Sequence, residues 1–255
     1  MKHILWSPWH GCHKCSPGCL NCYVYFLDSI HKKDSNIITK SKTNFNLPLK
    51  KDRKGKYKIP SNSEVATCFT SDFFIQEADE WRQDAWNIIK QRQDVMFLIC
   101  TKRIERFEKC IPNDWEEGYN NVIIAVTCEN QEKANERMPK LISIKAKHKQ
   151  VLVAPILEDI ELSEFLCSGE IDLVSVGGES YKNARICNFE WVKHIKQTCD
   201  RYKVKFDFHQ TGSNFIINNK HYKIKHHDEY AQAKKGMKYL EKMNNANRIL
   251  GSNSN

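Results

Sequence analysis

The sequence predicts an α/β protein built on a (β/α) barrel, complete or partial. Three observations lead there. From Glu64 onward, short apolar runs rich in β-branched residues alternate with amphipathic stretches at helical spacing. The apolar runs are continuous, as in strands buried on both faces of a parallel sheet. About seven such runs suit a barrel, or part of one, better than a two-domain design. An open, doubly wound sheet is the architectural alternative.

In chain order, the first strand lies near His3–Trp6, and a short helix fits Val24–Lys32. Residues 29–63 then break the pattern. They are polar and basic, carry Pro48, Gly55 and Pro60, and read as a long insertion of the kind that forms a lid or mobile segment. Strands follow at Glu64–Thr70, Val95–Thr101, Asn121–Thr127, Gln150–Pro155, Asp172–Val176 and Val204–Phe208. Helices fall between them at Asp79–Arg92, Ile104–Cys110, Gln131–Leu141, Leu162–Leu166 and Asn188–Tyr202. In the last of these, Phe189, Val192, Ile195 and Cys199 mark the core face. The barrel domain spans residues 1–243, and 244–255, poor in apolar residues, read as a flexible tail.

The longest apolar stretches, Val95–Cys100 and Asn121–Val126, are too short to cross a bilayer, and no secretory signal precedes them. A soluble, cytoplasmic protein without membrane association is expected. The net charge of +9 is concentrated in residues 32–58 and 220–242. Such a field attracts polyanions, which makes nucleic acid a candidate partner, though a solvated Lys- and Asn-rich surface has the same composition.

Eleven cysteines, an odd number, argue against a fully paired disulfide framework. Seven of them (Cys68, Cys100, Cys110, Cys128, Cys167, Cys187, Cys199) are scattered through the predicted elements and read as reduced, mostly buried thiols. The other four, Cys12, Cys15, Cys19 and Cys22, crowd into a loop with neither helical nor strand periodicity. Soft thiolates gathered in this way imply a soft metal or cluster. Zinc would be served by four ligands, but its paired cysteines normally stand farther apart than these. The spacing Cys15-x3-Cys19-x2-Cys22 instead lets one loop bind three irons of a [4Fe–4S] cluster and leaves the fourth open. Pro17 and Gly18 supply the tight backbone. His10 and His13 flank the loop as possible replacement ligands, or as hydrogen-bonding loop residues. Trp6 and Trp9 suit core packing or stacking on a base.

The segment Trp6-x-Pro8-x-x-Gly11-Cys12, followed by Ser16-Pro17-Gly18-Cys19-x-x-Cys22-Tyr23, resembles the phage Gp37/Gp68-like family of radical-SAM-like proteins, whose function is largely unknown. Thr70-Ser71-Asp72-Phe73-Phe74, Thr101-Lys102-Arg103, Ala125-Val126-Thr127-Cys128-Glu129-Asn130, Gly177-Gly178-Glu179-Ser180 with Ala184-Arg185, and Gln210 with Gly212 extend the resemblance from Ile4 to Gly212. It implies a radical-SAM-like barrel enzyme that uses an external electron donor. In such enzymes a [4Fe–4S] cluster cleaves S-adenosylmethionine (SAM) to a 5′-deoxyadenosyl radical that attacks a substrate. The family's recurrent cysteines match Cys12, Cys19 and Cys22, so Cys12 and Cys15 compete to be the third ligand. Two departures stand out, Leu152-Val153-Ala154-Pro155-Ile156-Leu157, which lacks a rim carboxylate, and His209-Gln210-Thr211-Gly212.

In a parallel barrel, chemistry collects at the C-terminal ends of the strands. Ser71, Asp72, Lys102, Arg103, Glu129, Gly177, Gly178, Glu179 and Ser180 are expected there. Ser71, Asp72, Glu129 and the Gly177–Ser180 turn are the candidate SAM contacts, because paired glycines admit a ligand and Glu179 resembles the carboxylate that grips the SAM amine. The alternative is a binding module in which the cysteines hold zinc and the basic surface binds nucleic acid without catalysis.

Overall fold

The computed structural model describes residues 4–252. Its elements run β1 (Ile4–Trp6), β2 (Trp9–His10), α1 (Tyr23–Ile30), β3 (Thr39–Lys40), β4 (Glu64–Thr67), α2 (Asp79–Gln91), β5 (Met96–Thr101), α3 (Phe107–Cys110), β6 (Val122–Thr127) and α4 (Gln131–Ser143). They continue with β7 (His148–Val153), α5 (Ser163–Leu166), β8 (Leu173–Gly177), β9 (Cys187–Asn188), α6 (Phe189–Tyr202), β10 (Lys205–Gln210), β11 (Asn214–Ile217), β12 (Lys220–Lys223) and α7 (Glu229–Ser252).

The main sheet has seven strands in the order β1-β4-β5-β6-β7-β8-β10, and every adjacent pair is parallel. The order never reverses, which rules out a doubly wound sheet. Right-handed crossovers then place the helices on one face. Because β1 and β10 do not pair, the sheet is an open, curled half barrel rather than a closed one.

The helix-covered face carries the core, including Val65, Phe97, Ile99, Ile124, Val151, Val153, Val174, Val176 and Phe208. Burying each of these side chains contributes about 1.5–3 kcal/mol. On the opposite, concave face, Leu98, Cys100, Gln150, Leu152 and Ser175 are only half-buried. Trp6 and Trp9 are both fully buried, in keeping with a packing role.

Three expectations change. The strand expected at 64–70 ends at Thr67, because Cys68 takes a left-handed φ of 64°. The insertion is anchored to the sheet at three of its carbonyls. The Trp6 indole donates to Phe45 O at 2.9 Å, and the buried Arg92 guanidinium binds the carbonyls of Pro48 and Ile59. Arg92 precedes β5, so the basic turn 51–58 lies at the N-terminal end of the sheet, opposite the cysteine loop. Finally, the C-terminal region adds a small sheet, β12-β11-β9, and α7, which packs along edge strand β10. An exposed strand edge invites unwanted pairing, and a helix laid along it prevents this. Helix α7 runs through most of the segment expected as a tail, while residues 253–255 lie outside the described ones. All eleven cysteines are free, and of the seven scattered ones Cys167 is exposed and Cys100 half-buried. Among the described residues, no helix is long and apolar enough to cross a membrane.

Candidate metal centre

The cysteine loop follows β1 and β2 and crosses the C-terminal rim of the half barrel, where it is held by the strand ends of the sheet. After β4, Ser71 donates to Gly11 O, and the Gly11 amide donates to Thr70 O at 3.2 Å. After β5, Arg103 donates to His13 O at 2.7 Å and reaches the Cys12 sulfur at 3.7 Å. After β6, Glu129 accepts the Gly18 amide at 3.0 Å. After β8, Glu179 accepts from Asn21 at 3.0 Å and pairs with Arg185, which also donates to Pro17 O at 2.9 Å.

Within the loop, Pro17–Cys19 forms a 3-10 turn and Cys22 occupies the position just before α1, without a capping bond from its side chain. The Cys15 and Cys19 thiols act on one another, which holds Cys19 below its ordinary pKa and Cys15 above it. Burial pushes the Cys12 thiol up to about 11, against the pull of Arg103. Burial would lower the Lys102 ammonium, but the Cys100 and Cys19 sulfurs and the Glu129 and Asp72 carboxylates raise it. Of these three thiols only Cys19 is drawn toward the thiolate, while burial holds Cys12, and its interaction with Cys19 holds Cys15, toward the neutral form. Among the described residues, no three His, Cys, Asp or Glu side chains converge as an ion-binding cage. The loop carries four free thiols, which are soft donors, and Arg103 stands beside the first of them.

Most of the predicted site residues meet at this loop, where their hydrogen bonds hold its backbone. Asp72 accepts from Thr101 Oγ1 at 2.7 Å, Lys102 N at 2.9 Å and Arg103 Nη1 at 3.1 Å, which aims the guanidinium at Cys12. Glu129 is fully buried against Arg137 at 2.9 Å. Burial opposes its ionisation, yet Arg137, Ser16 and the Gly18 amide keep its pKa below the usual range. Glu179 is lowered against its own burial by Arg185 and Asn21, and both its oxygens are engaged.

Beside the glycine pair, the space into which a Cβ would project is filled by protein. A Cβ on Gly177 would run into the His209 ring, and one on Gly178 into Thr211 O and Cys187. These glycines allow close packing against the 209–212 segment. Ser180 turns away from the loop to Glu229 at 2.6 Å. His10 Nε2 pairs with Asp28 at 2.9 Å and His13 Nε2 with Glu77 at 2.7 Å.

Asn21, Arg137 and Glu229 escape a reading of the sequence. Asn21 sits inside the cysteine motif, where an amide at a fixed turn position is the only signal. Arg137 and Glu229 lie on helices whose partners are set by tertiary packing.

No curated protein and no solved structure matches the chain. The profile of DUF5131, described as a protein of unknown function, matches residues 2–246. That match covers nearly the whole sequence, and the chain belongs to the DUF5131 family.

Proposed function

We propose that the loop binds a [4Fe–4S] cluster through Cys19, Cys22 and one of Cys15 and Cys12, and that the protein is a radical-SAM-type enzyme. The observation that supports this reading is a loop of four free cysteines whose backbone is clamped on the C-terminal rim of a parallel half barrel, with Arg103 3.7 Å from the Cys12 sulfur. A cluster with one iron free of protein thiolate supplies one-electron reductive cleavage of SAM when both are bound.

The chain's own residues have separable tasks in this reading. The cysteines provide thiolates, and Lys102 and Arg103 offset the charge of the site. Glu129 and Glu179 fix the loop through Gly18, Asn21 and Arg185. The Lys102 ammonium donates to Thr127 Oγ1 at 3.2 Å, and no carboxylate among the described residues stands within ion-pairing distance of it. It is the group best placed to receive a carboxylate such as that of SAM.

The test is metal content. Full-length protein reconstituted anaerobically should take up iron and sulfide, and Cys19→Ala or Cys22→Ala should each abolish uptake. Cys12→Ala and Cys15→Ala should differ, identifying the third ligand. One tightly bound zinc per chain, without iron uptake, would overturn the proposal.

A further inference from the structure

We propose that the β11–β12 ribbon and the start of α7 form a binding surface for single-stranded nucleic acid, delivering it to the cysteine loop. The inference borrows from the proposed function only the location of the chemistry. Its binding test does not depend on the cluster.

Of the two basic concentrations in the sequence, the turn at 51–58 lies at the opposite end of the sheet, whereas the ribbon adjoins the loop. Asn214, at the start of β11, donates to Ala184 O at 3.0 Å, and the Ser213 amide donates to Glu179 O at 2.7 Å. The 179–185 segment is the one that grips Asn21 and Pro17.

The chemistry of the ribbon fits a polyanion. Residues 208–227 contain no Asp or Glu, while Lys220, Lys223 and Lys225 are exposed. None of these three lysines forms an ion pair among the described residues. Elsewhere on the surface, Lys40, Lys90 and Lys145 are paired with Asp84, Asp114 and Glu117. All four residues of β12 are exposed.

Aromatic rings accompany the charge. Tyr222 is 42% exposed and Tyr230 59% exposed, with Lys234 over the Tyr230 ring. Between them and the loop, Tyr181 stacks on Phe26 of α1 and against His226, at centroid distances of 4.7 and 4.5 Å. Lysines that follow a backbone, interleaved with open aromatic faces, are how proteins bind unpaired bases without reading sequence. A duplex would hide those base faces, so the rings favour a single strand.

The test is fluorescence anisotropy with labelled single-stranded DNA and RNA across a salt series, using the full chain with and without reconstituted iron. The variant Lys220→Gln/Lys223→Gln/Lys225→Gln should lower the log–log salt slope by about 2, since each phosphate contact on a single strand contributes roughly 0.7. Tyr222→Ala should weaken binding about tenfold. The same substitutions at Lys50, Lys51, Arg53 and Lys54 should leave affinity at the site intact. An unchanged slope in the ribbon variant, or preference for duplex, overturns the proposal and leaves the lysines as charges guarding a strand edge. Single-strand binding by a chain that takes up no iron would sink the enzyme reading while sparing this one.

Discussion

The backbone amide of Gly18, between the second and third cysteines, donates to the Glu129 carboxylate at 3.0 Å. Glu129 is held in turn by Arg137 at 2.9 Å. A Cβ on Gly18 would sit 3.0 Å from Glu129 Cδ and 3.2 Å from its Cβ. Gly18→Ala should therefore displace a carboxylate that cannot readily move, at about 1–3 kcal/mol, the usual scale for overpacking. Glu129→Ala should cost about 3 kcal/mol or more, because it strands a buried guanidinium. Urea unfolding checks both, and wild-type midpoints would show that the brace is unimportant.

Glu179 separates two roles. Because it holds Asn21 and Arg185, Glu179→Ala should loosen the loop, reduce iron uptake and speed alkylation of the loop cysteines. Its charged hydrogen bonds suggest a stability loss of about 2 kcal/mol. A residue that only gripped the SAM amine would give the opposite pattern, with iron retained and SAM cleavage lost. Iron content and thiol labelling of the one variant decide between them.

At the other end of the sheet, Asp94 accepts two bonds from Arg92, at 2.8 and 3.0 Å, beside the carbonyls of the insertion. The bonds from Arg92 lower its pKa from the ordinary carboxylate value to about 2. A lowered folded-state pKa contributes stability that is present above the unfolded value, about 3.9, and lost as the pH falls toward 2. Asp94→Asn should therefore be less stable than the parent at pH 7, and the gap should close between about pH 4 and 2. A gap constant with pH would mean that the aspartate charge contributes nothing.

The strands were legible because buried parallel strands are continuous apolar runs, as in Val122–Thr127. The rim was legible as a place for the same reason, since Ser71, Asp72, Glu129 and Glu179 follow strand ends. Their work was not. Gly18 and Glu129 are 111 positions apart, and Asn21 and Glu179 are 158 apart. Nothing local in the sequence encodes such pairings. The insertion looked free because its anchors are backbone carbonyls at Phe45, Pro48 and Ile59, which carry no residue signature. Helix α7, with Gly236 and an Asn-rich end, lacks strong helical patterning, yet Gly236 is what lets it approach Phe189.

The most direct test is the electron paramagnetic resonance spectrum of the dithionite-reduced, anaerobically reconstituted protein, recorded with and without SAM. The reduced protein should give the signal of a [4Fe–4S] cluster that changes when SAM is added, because one iron is open to a ligand. A signal indifferent to SAM, or a colourless protein holding zinc and giving no signal, would contradict the proposed function.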